Sequence, residues 1–119
     1  MSEMVVSQEF EIEGVLEKIQ TVGYKSPYIL VVSNNACIRD LNKFTQLDWK
    51  NPCKIEIHGD FDMRKRLDKL LGKQIRIKGI YEIHPSIKAK PGSEAEHRFV
   101  GGIIPPLHFF VAKELSRID

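Results

Sequence analysis

The sequence is poor in the residues that form metal sites and covalent cross-links. Its two cysteines, Cys37 and Cys53, lie sixteen positions apart and form no C-x-x-C motif. Its four histidines show neither the H-x-H nor the H-x-x-x-H spacing of metal-binding pairs. We therefore expect two free, reduced thiols, no bound metal and no cofactor.

Long apolar runs are also absent. No stretch approaches the roughly 18 apolar residues of a membrane-spanning helix. The first residues, MSEMVVSQEF, lack the basic and apolar regions of a signal peptide. We therefore expect a cytoplasmic protein with no membrane partner. The net charge of +2 is small, and it neither requires nor excludes a polyanionic partner such as nucleic acid.

The motifs of common enzyme classes are missing as well. The chain has no G-x-S-x-G elbow, no P-loop and no G-x-G-x-x-G turn. In HGDFD, the alternating His58, Asp60 and Asp62 could bind zinc or iron. The two aspartates serve equally well as helix caps. We predict that the protein is not an enzyme.

The composition is that of a folded globular domain. Apolar residues make up 42% and charged residues 29% of the 119 positions, which is far from the disordered class. A chain of this length suits one domain that needs neither metal nor disulfide for stability. We predict a single domain over residues 1–119, with residues 1–7 flexible.

The hydrophobic pattern predicts mainly β-structure. Gly14 interrupts the first strand, where we expect a bend or a bulge. After Asp60 or Asp62, a stripe of apolar residues predicts a helix over residues 62–71. The predicted strands cover residues 8–20 and 28–33, a short strand ACIRDL at 36–41 after a turn at Asn34-Asn35, 54–59, the alternating part of LLGKQIRIKGIYEIHP at 70–85, and 107–118.

Residues 85–107 have no such pattern. They contain Pro85, the pairs Pro91-Gly92 and Gly101-Gly102, and Pro105-Pro106. Connections of this length are uncommon within compact domains and are usually functional or mobile. We predict a long loop here.

The stretches EFEIEGVLEKI, YILVVS, KIEIHG, LLGKQIRIKGIYE and HFFVAKELSRI, taken in this order, resemble the oligonucleotide/oligosaccharide-binding (OB) fold. The resemblance spans nearly the whole chain. A weaker likeness is to bacterial OB-type domains of unknown function. The resemblance implies an all-β protein with one short helix. It would be a five-stranded Greek-key barrel with the helix between strands three and four and the long loop between strands four and five.

The resemblance also implies where a ligand would bind. OB-type proteins use the first loop and the loop between strands four and five. Lysine and arginine follow the phosphates of single-stranded nucleic acid, and aromatic rings stack on its bases. A core or barrel-wall position is the alternative for Tyr28. The candidate nucleic-acid-binding residues are Tyr24, Lys25 and Tyr28 in or beside the first loop, and Lys88, Lys90, Arg98 and Phe99 in the long loop.

Two other functions compete with nucleic-acid binding. The long loop also has Glu94 and Glu96, so its three cations and two anions leave a charge of only +1. This low charge and the apolar run VGGIIPPLHFF favour a protein partner that docks on residues 99–110. A third possibility is a small ligand or oligosaccharide bound by Trp49 and Tyr28. The alternative for Trp49 is a plug at one end of the barrel.

The basic residues Arg76 and Lys78 have an explanation that involves no ligand. In an OB-type barrel, strand four lies antiparallel to strand one. Glu9, Glu11 and Glu13 would then border Arg76 and Lys78 on the outer face, and opposite charges on neighbouring strands stabilise each other. We predict this pairing and expect nucleic acid, if bound, to lie elsewhere.

Overall fold

The computed structural model describes residues 4–21 and 25–118. None of the helices in these two ranges is long and apolar enough to cross a membrane. In chain order the elements are β1 (Val6–Lys18), β2 (Tyr28–Val32), α1 (Asn35–Thr45), β3 (Cys53–His58), α2 (Phe61–Asp68), β4 (Gln74–His84), β5 (Ile87–Lys88), α3 (Glu94–Arg98), a 3-10 turn (Val100–Gly102), β6 (Ile103–Ile104) and β7 (Leu107–Arg117).

Five strands form a closed barrel in the order β1-β2-β3-β7-β4, with β4 returning to β1. Strands β3 and β7 pair in parallel, and the other neighbours are antiparallel. Helix α2 lies between the third and fourth barrel strands. The predicted mainly-β barrel of five strands is therefore confirmed, together with the position of its helix.

Alternating residues of the strands point into the barrel, as the period of two requires. Helices α1 and α2 add Leu41 and Leu67, both fully buried, to the same core. Asp60 begins α2, because its Oδ1 accepts a hydrogen bond of 2.8 Å from the Met63 N–H. The largest fully buried side chains of the strands are Ile12, Leu16, Leu30, Ile57, Ile75, Ile77 and Phe110.

Two strand glycines allow neighbouring backbones to approach closely. A Cβ on Gly14 would lie 2.2 Å from the Val31 carbonyl oxygen, and one on Gly79 would lie 2.3 Å from that of Val111. At Val15, directly after Gly14, the ladder with β4 ends and the ladder with β2 begins. The shift in strand register lies at Lys78/Gly79 in the β4–β7 ladder. Both positions need glycine because no side chain fits between the strands.

The predicted short strand at residues 36–41 is wrong, because these residues belong to helix α1. Asn34 does not close a turn between strands; its side chain caps the helix by accepting a 3.0 Å hydrogen bond from the Cys37 N–H. The buried residues Ile38, Leu41 and Thr45 recur at helical spacing. The chain therefore has more helix than the single one that the sequence predicted.

The charged rows on β1 and β4 pair as predicted. Glu11 lies opposite Lys78, and Glu13 lies opposite Arg76. Arg76 Nη2 lies 2.7 Å from Glu13 Oε1, and Arg76 Nε lies 3.0 Å from Glu11 Oε1. The pairs raise the pKa of Arg76, chiefly through its hydrogen bond to Glu13. The basic face of β4 is therefore occupied by contacts within the barrel.

Between β4 and β7 the chain forms an arm, defined here as residues 85–106. Strand β5 pairs antiparallel with β6, so that Ile87 lies opposite Ile104. The Ala89 N–H donates to the Gly102 carbonyl at 2.6 Å, and both residues are buried. The stretch predicted as a loop has its own two-stranded sheet, within a molecule that measures 51 × 29 × 23 Å.

At the other end of the chain, Val6 and Ser7 lie within the segment that was expected to be flexible. Both belong to β1, where Val6 pairs with Ile83 and Ser7 pairs with Glu82. The ladder between β1 and β4 therefore begins at Val6.

Candidate functional site

The first loop is the first of the two predicted ligand segments. Tyr24 lies outside the described residues. Lys25 is exposed, and its carbonyl oxygen accepts a 3.1 Å hydrogen bond from Thr21 Oγ1. Its ammonium group is open to solvent and can meet a phosphate.

Tyr28 is part of the barrel wall. Tyr28 is only 3% exposed, and its hydroxyl donates a 2.7 Å hydrogen bond to Asp68 Oδ1 of α2. Lys18 Nζ lies 3.1 Å from the same oxygen and 5.3 Å from the centre of the Tyr28 ring. Burial raises the pKa of Tyr28, and the hydrogen bonds from Tyr28 and Lys18 lower the pKa of Asp68. The Tyr28 ring therefore has no free face on which a base could stack, and the barrel-wall alternative describes it.

The arm carries the four candidate residues of the second segment. Lys88 and Lys90 are exposed, at and just beyond the end of β5. Arg98 is exposed on α3, and its Nη2 lies 3.3 Å from Glu94 Oε1. Phe99 follows α3 and is partly buried. Surface ion pairs of this kind are weak, so Arg98 can exchange Glu94 for a phosphate.

The arm is also rich in exposed apolar side chains. Val100 is 98% exposed, and Ile103 is 56% exposed. Ile87 and Leu107 are also exposed. Val100, Ile103 and Leu107 belong to the segment 99–110 that the sequence proposed as a protein-docking surface, whereas Ile87 lies on β5.

A ring cluster on the outer face of β3, β7 and β4 was missed at the sequence level. We define it as His58, Phe109 and His84. The centre of the Phe109 ring lies 5.0 Å from that of His58 and 5.1 Å from that of His84, with nearly perpendicular planes. Phe110 is buried in the core, so Phe109 points outward. The arm starts directly after His84, and β7 begins at Leu107, two residues before Phe109.

Two carboxylates flank the ring cluster. Glu56 Oε2 lies 2.9 Å from His58 Nε2, and Glu82 Oε1 lies 3.2 Å from His84 Nε2. The Ser26 N–H donates a 3.1 Å hydrogen bond to Glu56 Oε1. These acids would repel a phosphate placed directly over the rings. The cluster therefore suits contact with a base better than contact with a phosphate.

Trp49 packs against the barrel core. Asn42 holds its backbone, because Asn42 Oδ1 accepts from the Trp49 N–H at 2.6 Å and Asn42 Nδ2 donates to the Trp49 carbonyl at 3.1 Å. Its Nε1 is buried and has no hydrogen-bond partner in the described part of the chain. Trp49 is partly buried and Tyr28 is buried, so a small ligand or sugar could not contact both rings at one exposed surface.

The possible metal ligands of HGDFD are used in other ways. Asp60 caps α2, and His58 belongs to the ring cluster. Within residues 4–21 and 25–118, no group of three or more His, Cys, Asp and Glu side chains could hold a metal ion.

The candidate interface thus consists of the arm and the adjoining ring cluster. The arm supplies exposed cations and apolar side chains, and the cluster supplies partly exposed rings on the barrel wall. Compared with models of protein families, with curated proteins and with solved structures, the chain matches none of them.

Proposed function

We propose that the protein is a non-enzymatic binding module built on an OB-type barrel. Three features of the fold support this assignment. The strand order is β1-β2-β3-β7-β4, the third and last barrel strands pair in parallel, and a helix lies between the third and fourth. A five-stranded barrel of this kind is the framework on which OB-type proteins present their ligand surface.

The ligand that we propose is single-stranded nucleic acid. The observation behind this choice is the ring cluster of His58, Phe109 and His84, which lies at the base of an arm that exposes Lys88 and Lys90. Rings that accept unstacked bases, next to cations that follow the phosphates, are what single strands require. A duplex, whose bases are already stacked, could use only the cations.

The two parts of the interface have different tasks in this proposal. Each stacked base contributes about 1–3 kcal/mol, and the ring cluster offers contact of this type. Glu56 and Glu82 keep phosphates away from the rings, so the strand would lie with its bases toward Phe109 and its backbone toward the arm. With few cations available, the affinity would be moderate and sensitive to salt.

Fluorescence anisotropy with a labelled single strand of about 15 nucleotides tests the proposal at low salt. Replacing Phe109 by Leu keeps an apolar side chain but removes the ring, and we expect at least about fivefold weaker binding. Phe44→Leu is the matched control, because Phe44 is also partly buried but packs on Phe10 and Tyr81 instead. Equal losses in the two variants would argue against the ring cluster as the stacking site.

Protein docking on the arm is the second candidate function. It depends on a different observation, the exposure of Val100 and Ile103. Apolar side chains of this kind form the centre of protein interfaces. The partner would then cover the segment 99–110, and the lysines would lie at the rim.

Solution mass and affinity capture distinguish protein docking from nucleic-acid binding. We expect Val100→Ser with Ile103→Ser to lose a partner that the wild type recovers from lysate. Ile19→Ser with Leu47→Ser is the control, because these residues are exposed outside the arm. A strict monomer that recovers no partner would contradict docking through the arm.

A further inference from the structure

Strand β1 has one edge that pairs fully and one that is largely open. On one side it pairs with β4 from Val6 to Val15. On the other side it pairs with β2 only from Val15 to Lys18. In the described part of the chain, no strand covers this second edge between Val6 and Gly14. Unpaired strand edges present backbone donors and acceptors to any extended segment that fits.

The direction of the backbone groups follows from the alternation along β1. The Leu16 N–H donates to the Lys73 carbonyl on the β4 side, whereas the Ile19 N–H donates to Pro27 on the β2 side. The backbone N–H and C=O groups of even-numbered β1 residues therefore point toward β4, and those of odd-numbered residues point away from it. The contact of 3.9 Å between Cys37 Sγ of α1 and the Glu11 carbonyl oxygen shows that this odd-numbered carbonyl points away from β4.

By the same alternation, the N–H and C=O groups of Ser7 and Glu9 point to the open edge. Both residues are exposed, and the ladder between β1 and β4 has no register shift that would reverse the alternation. These two residues supply the four backbone groups that a short added strand would use.

An open groove of about 790 Å³ runs along this edge, between β1 and α1. Its two sides differ in chemistry. On the inner side, Val6, Phe10 and the α1 residue Phe44 are apolar, and the rings of Phe10 and Phe44 are 5.4 Å apart. On the outer side, Glu9 and Glu11 are acidic, and Glu11 also contacts Arg76 Nε at 3.0 Å. The polar Gln8, between Val6 and Phe10, also lines the groove, and Asp40 and Lys43 of α1, whose charges cancel, complete the lining.

We propose that this edge binds an extended segment of a partner protein in which apolar and basic residues alternate. Side chains of an added strand point alternately to its two faces. One set would pack beside Val6, Phe10 and Phe44, and the other would face Glu9 and Glu11. Backbone hydrogen bonds give such strand addition its affinity, and the side-chain positions give it specificity.

A second copy of this chain fits the edge poorly. Antiparallel pairing of two β1 edges would set the glutamate rows of both copies against each other. Like charges directly opposite each other destabilise paired strands. The acidic row therefore selects a basic partner strand over self-association.

A capped peptide of about eight residues that alternates lysine and valine is a suitable probe, since its length is that of an ordinary strand. We expect binding by the wild type, with amide hydrogen exchange at Ser7 and Glu9 slowed by at least about tenfold. Ser7→Pro removes an N–H that points to solvent, a change that edge strands tolerate, and should abolish binding. Glu9→Lys should weaken binding at least about tenfold, whereas Glu17→Lys, on the paired part of β1, should not.

The same measurements can overturn the proposal. Absence of binding at about 1 mM peptide, or binding that leaves exchange at Ser7 and Glu9 unchanged, would exclude strand addition at this edge. Exchange that slows with protein concentration in the absence of peptide would assign the edge to a second copy instead. If Ser7→Pro fails to fold, the exchange data and the comparison of Glu9→Lys with Glu17→Lys still test strand addition at this edge.

Discussion

The Tyr28 hydroxyl donates a 2.7 Å hydrogen bond to Asp68 Oδ1, which ties β2 to the end of α2. This contact turns a candidate ligand residue into a structural one. We expect Tyr28→Phe to lower the free energy of unfolding by about 1 kcal/mol, or Tm by about 4–8 °C, while nucleic-acid affinity stays unchanged. Asp68→Asn should lower Tm less in the Tyr28→Phe background than in the wild type, because the two residues share one hydrogen bond. Thermal denaturation and anisotropy measure the two quantities separately.

The same contact has a defined pH dependence. The hydrogen bonds from Tyr28 and Lys18 lower the pKa of Asp68 below its ordinary value of 3.8. A carboxylate with a lowered pKa stabilises the fold fully above its unfolded pKa, and this contribution disappears as the pH falls through the folded value. The difference in stability between wild type and Tyr28→Phe should therefore be constant above pH 3.8 and shrink below it. A difference that grows on acidification would contradict the assignment.

His108 should make the barrel sensitive to mild acid. Tyr81 Oη and His108 Nδ1 share a hydrogen bond of 2.8 Å, and burial lowers the pKa of His108 below its ordinary 6.5. The unfolded chain takes up a proton near pH 6.5, and the folded chain does so only at lower pH. Stability should therefore fall as the pH drops below 6.5. Urea denaturation at pH 7 and pH 5 should show a smaller loss for His108→Gln than for the wild type, and equal losses would exclude His108 as the cause.

Gly14 should tolerate no side chain. In Gly14→Ala the new Cβ would meet the Val31 carbonyl oxygen at 2.2 Å, and backbone atoms cannot move aside cheaply. We expect a loss of about 1–3 kcal/mol in the free energy of unfolding, measured by chemical denaturation. Gly59→Ala is the control, since its Cβ would meet only the side chain of Met63. A loss at Gly14 no larger than that at Gly59 would contradict the close approach of β1 and β2.

Two pairs of basic residues should separate stability from binding. Lys88→Glu with Lys90→Glu should weaken binding of a single strand without lowering Tm, because both residues are exposed on the arm. Arg76→Glu with Lys78→Glu should lower Tm, because Arg76 pairs with Glu11 and Glu13 and Lys78 lies opposite Glu11. Equal losses of affinity from both pairs, at unchanged Tm, would refute this division.

The barrel could be predicted from the sequence because its signals are local. Alternation in β1, β3 and β4 marks which residues point inward, and Asp60 marks the start of α2. Helix α1 had local signals too, in the Asn34 cap and in the spacing of Ile38, Leu41 and Thr45. They were hidden because the pair Asn34-Asn35 was interpreted as a turn between strands, with ACIRDL as the short strand after it. A pattern of six residues is too short to distinguish the period of a helix from that of a strand.

The candidate site was harder to predict. His58, His84 and Phe109 belong to three strands, and only the pairing of β7 between β3 and β4 brings them together. No spacing within the sequence encodes that neighbourhood. The burial of Tyr28 likewise depends on a partner forty positions away. The exposure of Lys88 and Lys90, in contrast, could be expected from the sequence, because cations in a long connection need no tertiary information.

The salt dependence of single-strand binding tests the proposed function most directly. For single strands, the slope of log K against log salt is about −0.7 per phosphate contact. Lys25, Lys88, Lys90 and Arg98 could supply three or four contacts, so we expect a slope of about −2 to −3. Titration of a labelled single strand of about 10–20 nucleotides at several salt concentrations measures it. Absence of binding at the lowest salt, or a slope near zero, would contradict nucleic-acid binding by this barrel.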